Sequence, residues 1–390
     1  FFSPFCLRAR VRPSPMQWGT RAVSAANIGL RNHLLHQYQK FSIIPNNIVS
    51  HHQKLFTSAM KSRPKSPSAS PLASPSSLSP MRRVGGPASM HAMSSSKAAQ
   101  NHEVPFKMAL CQLSVSEDKQ ENIRMMEKAV SEAAANGAKM IVLPEMWNCP
   151  YSNESFPIYA EDIDAGDSPS AAAMSNLASS LSVYVIGGSI PENNDEGKLF
   201  NTCCVYGPDG ALLGKHRKAH LFDIDIPGSI TFKESDTLTK GGALTVVDTE
   251  YGKVGIGICY DIRFPEMATV YANRGAQMIV YPGAFNITTG PLHWQLLTQA
   301  RAVDNLLHVA TCSPARDTSD GAKYTAWGHS SVVGPFAEVM AEAGHGQEIV
   351  YADIDFKKND TRRKNLPLQS QKRNDLYELK DCRNAIGFKF

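Results

Sequence analysis

The chain has 390 residues, 42% of them apolar, which suits one large domain or two average ones, and its formal charge of +4 is the sum of two unlike parts. Residues 1–102 hold 13 of the 40 Lys and Arg and no Asp or Glu, so the other 27 basic and 36 acidic residues leave the remainder near −9. An acidic globular part argues against nucleic acid as a partner. The lack of any apolar run near about eighteen residues argues against a membrane helix. Eight cysteines without a C-x-x-C pair argue against a disulfide framework or a zinc site, and fit a reducing compartment.

Residues 1–102 are Arg-rich, Ser-rich and acid-free, the composition of an organelle targeting segment, and Ser66 to Pro80 is too rich in Ser and Pro to fold. Met60 opens the tidier targeting pattern, with Lys61, Arg63 and Lys65, so residues 1–59 read as an upstream extension. A plain disordered tail is the alternative. The Ser-rich run leans towards the plastid, with mitochondrion and cytosol as the other destinations.

From residue 103 to 380 strands and helices alternate without a linker, which predicts one α/β layered domain followed by a short tail, 381–390. Phe106 to Gln112 reads as a strand. Lys119 to Ala135 has helical periodicity and stops at Asn136-Gly137, a C-terminal cap signal. Met140 to Leu143 is a buried strand, Ser170 to Leu181 a helix, Val183 to Gly187 a strand, and Leu199 to Tyr206 with Ala211 to Lys215 a hairpin across Gly-Pro-Asp-Gly. Ala243 to Asp248 and Val254 to Cys259 are strands, the second followed by a helix that opens at Phe-Pro-Glu. Gln277 to Tyr281, His308 to Ser313 and Ile349 to Ile354 are further strands, His293 to Asn305 a helix, and Gly328 to Val333 with Ala337 to Met340 a hairpin. Lys357 to Lys364 reads as the start of a basic tail.

Three polar residues stand where chemistry is useful. Cys259 ends an apolar strand near a helix start, where dipole and free N–H groups favour negative charge, and Arg263 is placed to help hold it as thiolate. A buried free cysteine is more often a small hydrophobe. Glu145 directly follows an apolar strand, and Lys218 lies in a basic cluster whose default reading is a solvated face. Together they supply a nucleophile, a base and a cation for a developing oxyanion, the roles that attack on a carbonyl or nitrile carbon requires.

Leu-Pro-Glu at 143–145, Arg-Lys-Ala-His-Leu-Phe at 217–222 and Gly-Ile-Cys-Tyr-Asp-Ile-Arg-Phe-Pro-Glu at 257–266 resemble, in order, the Glu, Lys and Cys motifs of the nitrilase superfamily of carbon–nitrogen hydrolases. The resemblance implies an α-β-β-α sandwich extended by subunit pairing into a homodimer or larger homo-oligomer, with no metal or organic cofactor. It also implies a second acid, Glu234, beside the lysine. Finer motifs, among them Trp-Asn-Cys-Pro-Tyr at 147–151 and Ser-Pro-Ala-Arg-Asp at 313–317, are similar to the omega-amidase branch. That branch hydrolyses the terminal amide of 2-oxoglutaramate and 2-oxosuccinamate, releasing the keto dicarboxylate and ammonia. Such a substrate carries a carboxylate, for which Arg263 is the expected cation, with Thr289 and Tyr151 as hydrogen-bond donors and the backbone N–H near Tyr260 serving the oxyanion. The alternatives are a sister amidase, carbamoyl hydrolase or nitrilase, and a non-catalytic scaffold on the same fold.

Overall fold

The computed structural model describes residues 104–382, apart from 228–229 and 323. Residues 1–103, where the targeting segment is expected, and the last eight residues lie outside them. Two sheets are stacked, each with helices on its outer face. The first has strand order β15-β1-β2-β3-β5-β4 with β6 on the free edge of β5: β1 is Phe106–Gln112, β2 Met140–Val142, β3 Tyr184–Ile186, β4 Ile190–Asn193, β5 Leu199–Tyr206, β6 Leu212–Arg217 and β15 Glu348–Ile354. The second has the order β14-β13-β12-β11-β10-β9: β9 is Thr245–Asp248, β10 Lys253–Ile256, β11 Met278–Pro282, β12 His308–Cys312, β13 Ser331–Val333 and β14 Val339–Glu342. β7 (Asp223–Ile226) and β8 (Ile230–Lys233) form a separate hairpin.

Parallel neighbours need crossover connections, and each sheet has two. Helices α1 (Lys119–Ala135) and α3 (Pro169–Leu181) link β1, β2 and β3; α4 (Pro265–Asn273) and α5 (Gly290–Asn305) link β10, β11 and β12. The period-two alternation of β1 explains its unbroken apolar run. Met108 and Leu110 face the other sheet among Val254, Ile256 and Val280, while Ala109 and Cys111 face α1 among Ile123, Met126 and Val130. Met108 and Leu110 each contribute about 1.5–3 kcal/mol relative to exposure. The result is the α-β-β-α sandwich that the resemblance implied.

Several sequence expectations need correction. The strand expected to reach Cys259 stops at Ile256, and Cys259–Arg263 is a 3₁₀ turn in which Cys259 has φ +46°. α4 opens only at Pro265, so the cysteine is not at the helix N-terminus. The expected basic tail is helix α6, Lys357–Asn365, anchored by Asn359 Nδ2 donating to Gln277 O at 2.6 Å. Short elements were missed: β4, the β7–β8 hairpin and the one-turn helix α2 (Phe156–Tyr159), all too brief for periodicity to register. Gly257 has no room for a Cβ, because the Tyr281 ring would stand 2.4 Å from it.

Candidate active site

The ends of β2, β6, β10 and β11 converge at one edge of the sandwich, the carboxyl ends where α/β folds place ligands. β2 runs out into Leu143-Pro144-Glu145, β6 into Lys218, β10 into the turn that holds Cys259, and β11 into Gly283-Ala284. Glu145, Lys218 and Glu234 are fully buried and Cys259 is 5% exposed.

Lys218 Nζ lies 2.9 Å from Glu145 Oε1 and 2.8 Å from Glu234 Oε1. Burial alone would lower the pKa of this ammonium, but the two carboxylates hold it well above the ordinary lysine value, so it is charged. Glu145 is fixed further by Asn201 Nδ2 donating to Oε1 at 2.8 Å and by Ala284 N–H donating to Oε2 at 2.7 Å. Glu234 accepts from Tyr151 Oη at 2.6 Å and from Phe222 N–H at 2.7 Å. Burial and the charge of Glu145 raise the pKa of Glu234 against the opposing pull of Lys218.

Cys259 is not held as a thiolate. Burial first, then the adjacent Glu145, push its thiol well above the usual value, and Lys218 offsets only part of this. A protonated thiol beside a carboxylate that accepts its hydrogen bond is a nucleophile waiting for a base. The positive φ of Cys259 costs on the order of 1–3 kcal/mol and is held by the surrounding turn. Gly283 lets the neighbouring chain come close, since a Cβ there would lie 3.1 Å from Cys259 Cα. Tyr260 is in the first turn of the 3₁₀ segment, where N–H groups lack an intrahelical acceptor.

A cleft of about 640 Å³ opens onto Glu145 and is walled by Tyr151, Ala284, Arg316 and Tyr324 among others. Of the residues expected to touch substrate, only Tyr151 stands on that wall, and its hydroxyl is already given to Glu234. Arg263 is half-buried over the rings of Phe285 and Tyr260, at 4.8 and 5.5 Å. Its Nη1 lies 3.3 Å from His293 Nδ1, on the first turn of α5, and its Nε is buried without a hydrogen-bond partner among the described residues. The salt bridge to Asp261 or Glu266 that would have made it structural is not formed; Asp261 is paired with His216 and His220. Thr289 immediately precedes α5 without a side-chain cap bond, its Oγ1 donating instead to Asn286 Oδ1 at 3.1 Å.

Asn201, Ala284 and Tyr324 were missed by sequence reasoning. Asn201 had a signal, a polar residue inside the apolar run of β5; the other two become neighbours only through folding, Tyr324 Oη donating to Ala284 O beneath the cleft.

Charged groups brought to strand ends between two sheets, with a cysteine beside them, define a hydrolase built around a buried Glu–Lys–Cys set, and residues 107–364 match the carbon–nitrogen hydrolase family. The chain belongs to that family, within the nitrilase superfamily, and is a carbon–nitrogen hydrolase. It is 60% identical over 278 residues to a protein of Arabidopsis thaliana called omega-amidase, chloroplastic, covering 71% of this chain and 74% of that one. It is 55% identical over 274 residues to the human omega-amidase NIT2, covering 70% of this chain and 97% of the relative. Among solved structures it is similar to Nit3 of Saccharomyces cerevisiae, a member of branch 10 of the nitrilase superfamily, with a TM-score of 0.64, 43% identity, and coverage of 69% of this chain and 97% of the other.

Proposed function

We propose that the chain is an omega-amidase that hydrolyses the terminal amide of 2-oxoglutaramate and 2-oxosuccinamate through a thioester on Cys259. The observation that carries this reading is the convergence of Glu145, Lys218 and Glu234 within 2.9 Å contacts beside a protonated buried cysteine. The names of relatives at 55–60% identity support the branch.

In the proposed mechanism Glu145 takes the thiol proton and the sulfur attacks the amide carbon. The carbonyl oxygen becomes an oxyanion, which Lys218 and the Tyr260 N–H stabilise. Glu145 passes the proton to the leaving nitrogen, the C–N bond breaks and ammonia departs. Glu145 then takes a proton from water, whose oxygen attacks the thioester and releases the free acid and the thiol. Glu234 keeps Lys218 charged and in place. Arg263, whose guanidinium meets His293 and keeps a buried Nε without a hydrogen-bond partner among the described residues, binds the substrate carboxylate.

A panel of 2-oxoglutaramate, deaminated glutathione, N-carbamoylputrescine and an aryl nitrile tests the assignment. Fastest turnover of 2-oxoglutaramate is expected; fastest turnover of any other member would replace it with a sister activity. Plastid targeting belongs to the same proposal, supported by the composition of residues 1–102 and by the chloroplastic relative. So does subunit pairing, favoured by Leu292 and Leu296, exposed one turn apart on α5, and checked by light scattering.

A further inference from the structure

Cys259 and Lys218 come from different sheets, β10 from one and β6 from the other. The apolar packing between the sheets sets their spacing, but it is non-directional and does little to fix their lateral register. A directional tie crosses that gap beside the site. Asp261, two residues beyond Cys259, is fully buried and its carboxylate receives four N–H groups. Oδ2 accepts from Ile258 N–H at 2.9 Å and lies 3.2 Å from His216 Nε2. Oδ1 accepts from His220 N–H at 2.9 Å and lies 2.7 Å from His220 Nδ1. The two histidines flank Lys218, two residues before and two after it. The ring of His220 is fixed in turn by stacking on Phe264 at 3.6 Å and 12°.

We propose that Asp261, with His216 and His220, is a clamp that positions the Lys218 ammonium relative to the Cys259 sulfur and so sets how well the oxyanion is stabilised. None of the three enters the proposed reaction. Asp261 grips its own turn through Ile258, the residue before the nucleophile, and grips the segment carrying the cation on both sides of Lys218. It remains a carboxylate because, although burial opposes the charge, hydrogen bonds from His216 and His220 lower its pKa far below the usual range. An anion with four N–H donors is satisfied without Lys218, and this leaves Lys218 to Glu145, Glu234 and the substrate.

The proposal rests on Cys259 and Lys218 as nucleophile and oxyanion partner, and the experiment separates the two. His220→Ala removes one ring donor at a side chain one-third exposed, and Asp261→Asn removes the anion. A displacement of about 1 Å at a reacting centre can cost roughly 100-fold in rate. On the amide turned over fastest, kcat should fall about tenfold in His220→Ala and about 100-fold in Asp261→Asn, with KM unchanged within about twofold. Alkylation of Cys259 by iodoacetamide forms no oxyanion, so its rate should stay within about threefold of wild type. His220→Asn, whose amide nitrogen takes the place of Nδ1, should recover most of the kcat. Wild-type kcat in folded His220→Ala, or alkylation slowed in step with kcat, overturns the clamp. If Asp261→Asn does not fold, His220→Ala and His220→Asn decide. Turnover retained by Cys259→Ala would instead break the underlying mechanism.

Discussion

Replacing Lys218 with Met leaves an unbranched side chain one atom shorter and removes the charge from between two carboxylates at 2.9 and 2.8 Å, all three groups fully buried. Removing one partner of a buried ion pair costs about 3–5 kcal/mol, because the charge left behind has lost both water and its counter-ion. At about 2 °C per kcal/mol for a domain of this size, Tm should fall by about 6–10 °C. Glu234 limits that loss by taking up a proton. Its pKa is already raised by burial and by Glu145, with Lys218 as the chief opposing force, so without the lysine it rises further. A group whose folded pKa is raised contributes stability at low pH that is lost as pH climbs through the folded pKa. The melting deficit should therefore be smaller near pH 5 than at pH 8. Activity should fall about 100–1,000-fold, as for loss of an oxyanion donor. Adding Glu234→Gln to Lys218→Met should restore most of the melting temperature and none of the turnover. The assays are thermal melting and ammonia release. Lys218→Met within tenfold of wild-type kcat, or activity returning with stability in the double variant, would refute the reasoning.

Burial pushes the thiols of Cys111 and Cys204 up to about 12 from 9.0, so above pH 9 the unfolded chain releases protons that the folded chain keeps. Each thiol then removes about 1.4 kcal/mol of stability per pH unit until its folded pKa is reached; melting from pH 8 to 11 should show Tm falling steadily, and a flat profile would contradict this. Arg263→Lys should raise KM about tenfold or more for 2-oxoglutaramate, since a point charge replaces a planar fork, and leave an uncharged short amide unaffected; equal changes in both would remove Arg263 from carboxylate binding. Gly257→Ala places a methyl 2.4 Å from the Tyr281 ring and should cost about 1–3 kcal/mol by urea unfolding, with an unmoved midpoint showing that the ring yields freely.

The layered α/β class was legible because its signals are local: β1 and α1 coincide with Phe106–Gln112 and Lys119–Ala135, where a long apolar run and a capped amphipathic helix speak for themselves. α1 also carries an N-cap outside the periodic pattern, with Asp118 accepting from Gln120 and Glu121 N–H. Cys259 was misplaced onto a strand because Gly-Ile-Cys is apolar, whereas its backbone conformation is imposed by Asp261 bonding back to Ile258. Its ionisation was misjudged for a related reason. Arg263 is near in sequence, but burial and Glu145, 114 residues away, dominate the thiol. Glu145 and Lys218 could be paired by chemistry, while Glu234 needed the family resemblance, since a glutamate in a polar loop carries no mark of being fully buried until the chain folds it against Lys218.

The central claim is that Cys259 carries the acyl group during turnover. Rapid mixing of the enzyme with 2-oxoglutaramate, acid quenching and peptide mass analysis should find the substrate's acyl group on the peptide containing Cys259. Cys259→Ala should form no adduct and release no ammonia. Ammonia release by Cys259→Ala, or full turnover with Cys259 blocked by alkylation, would contradict it.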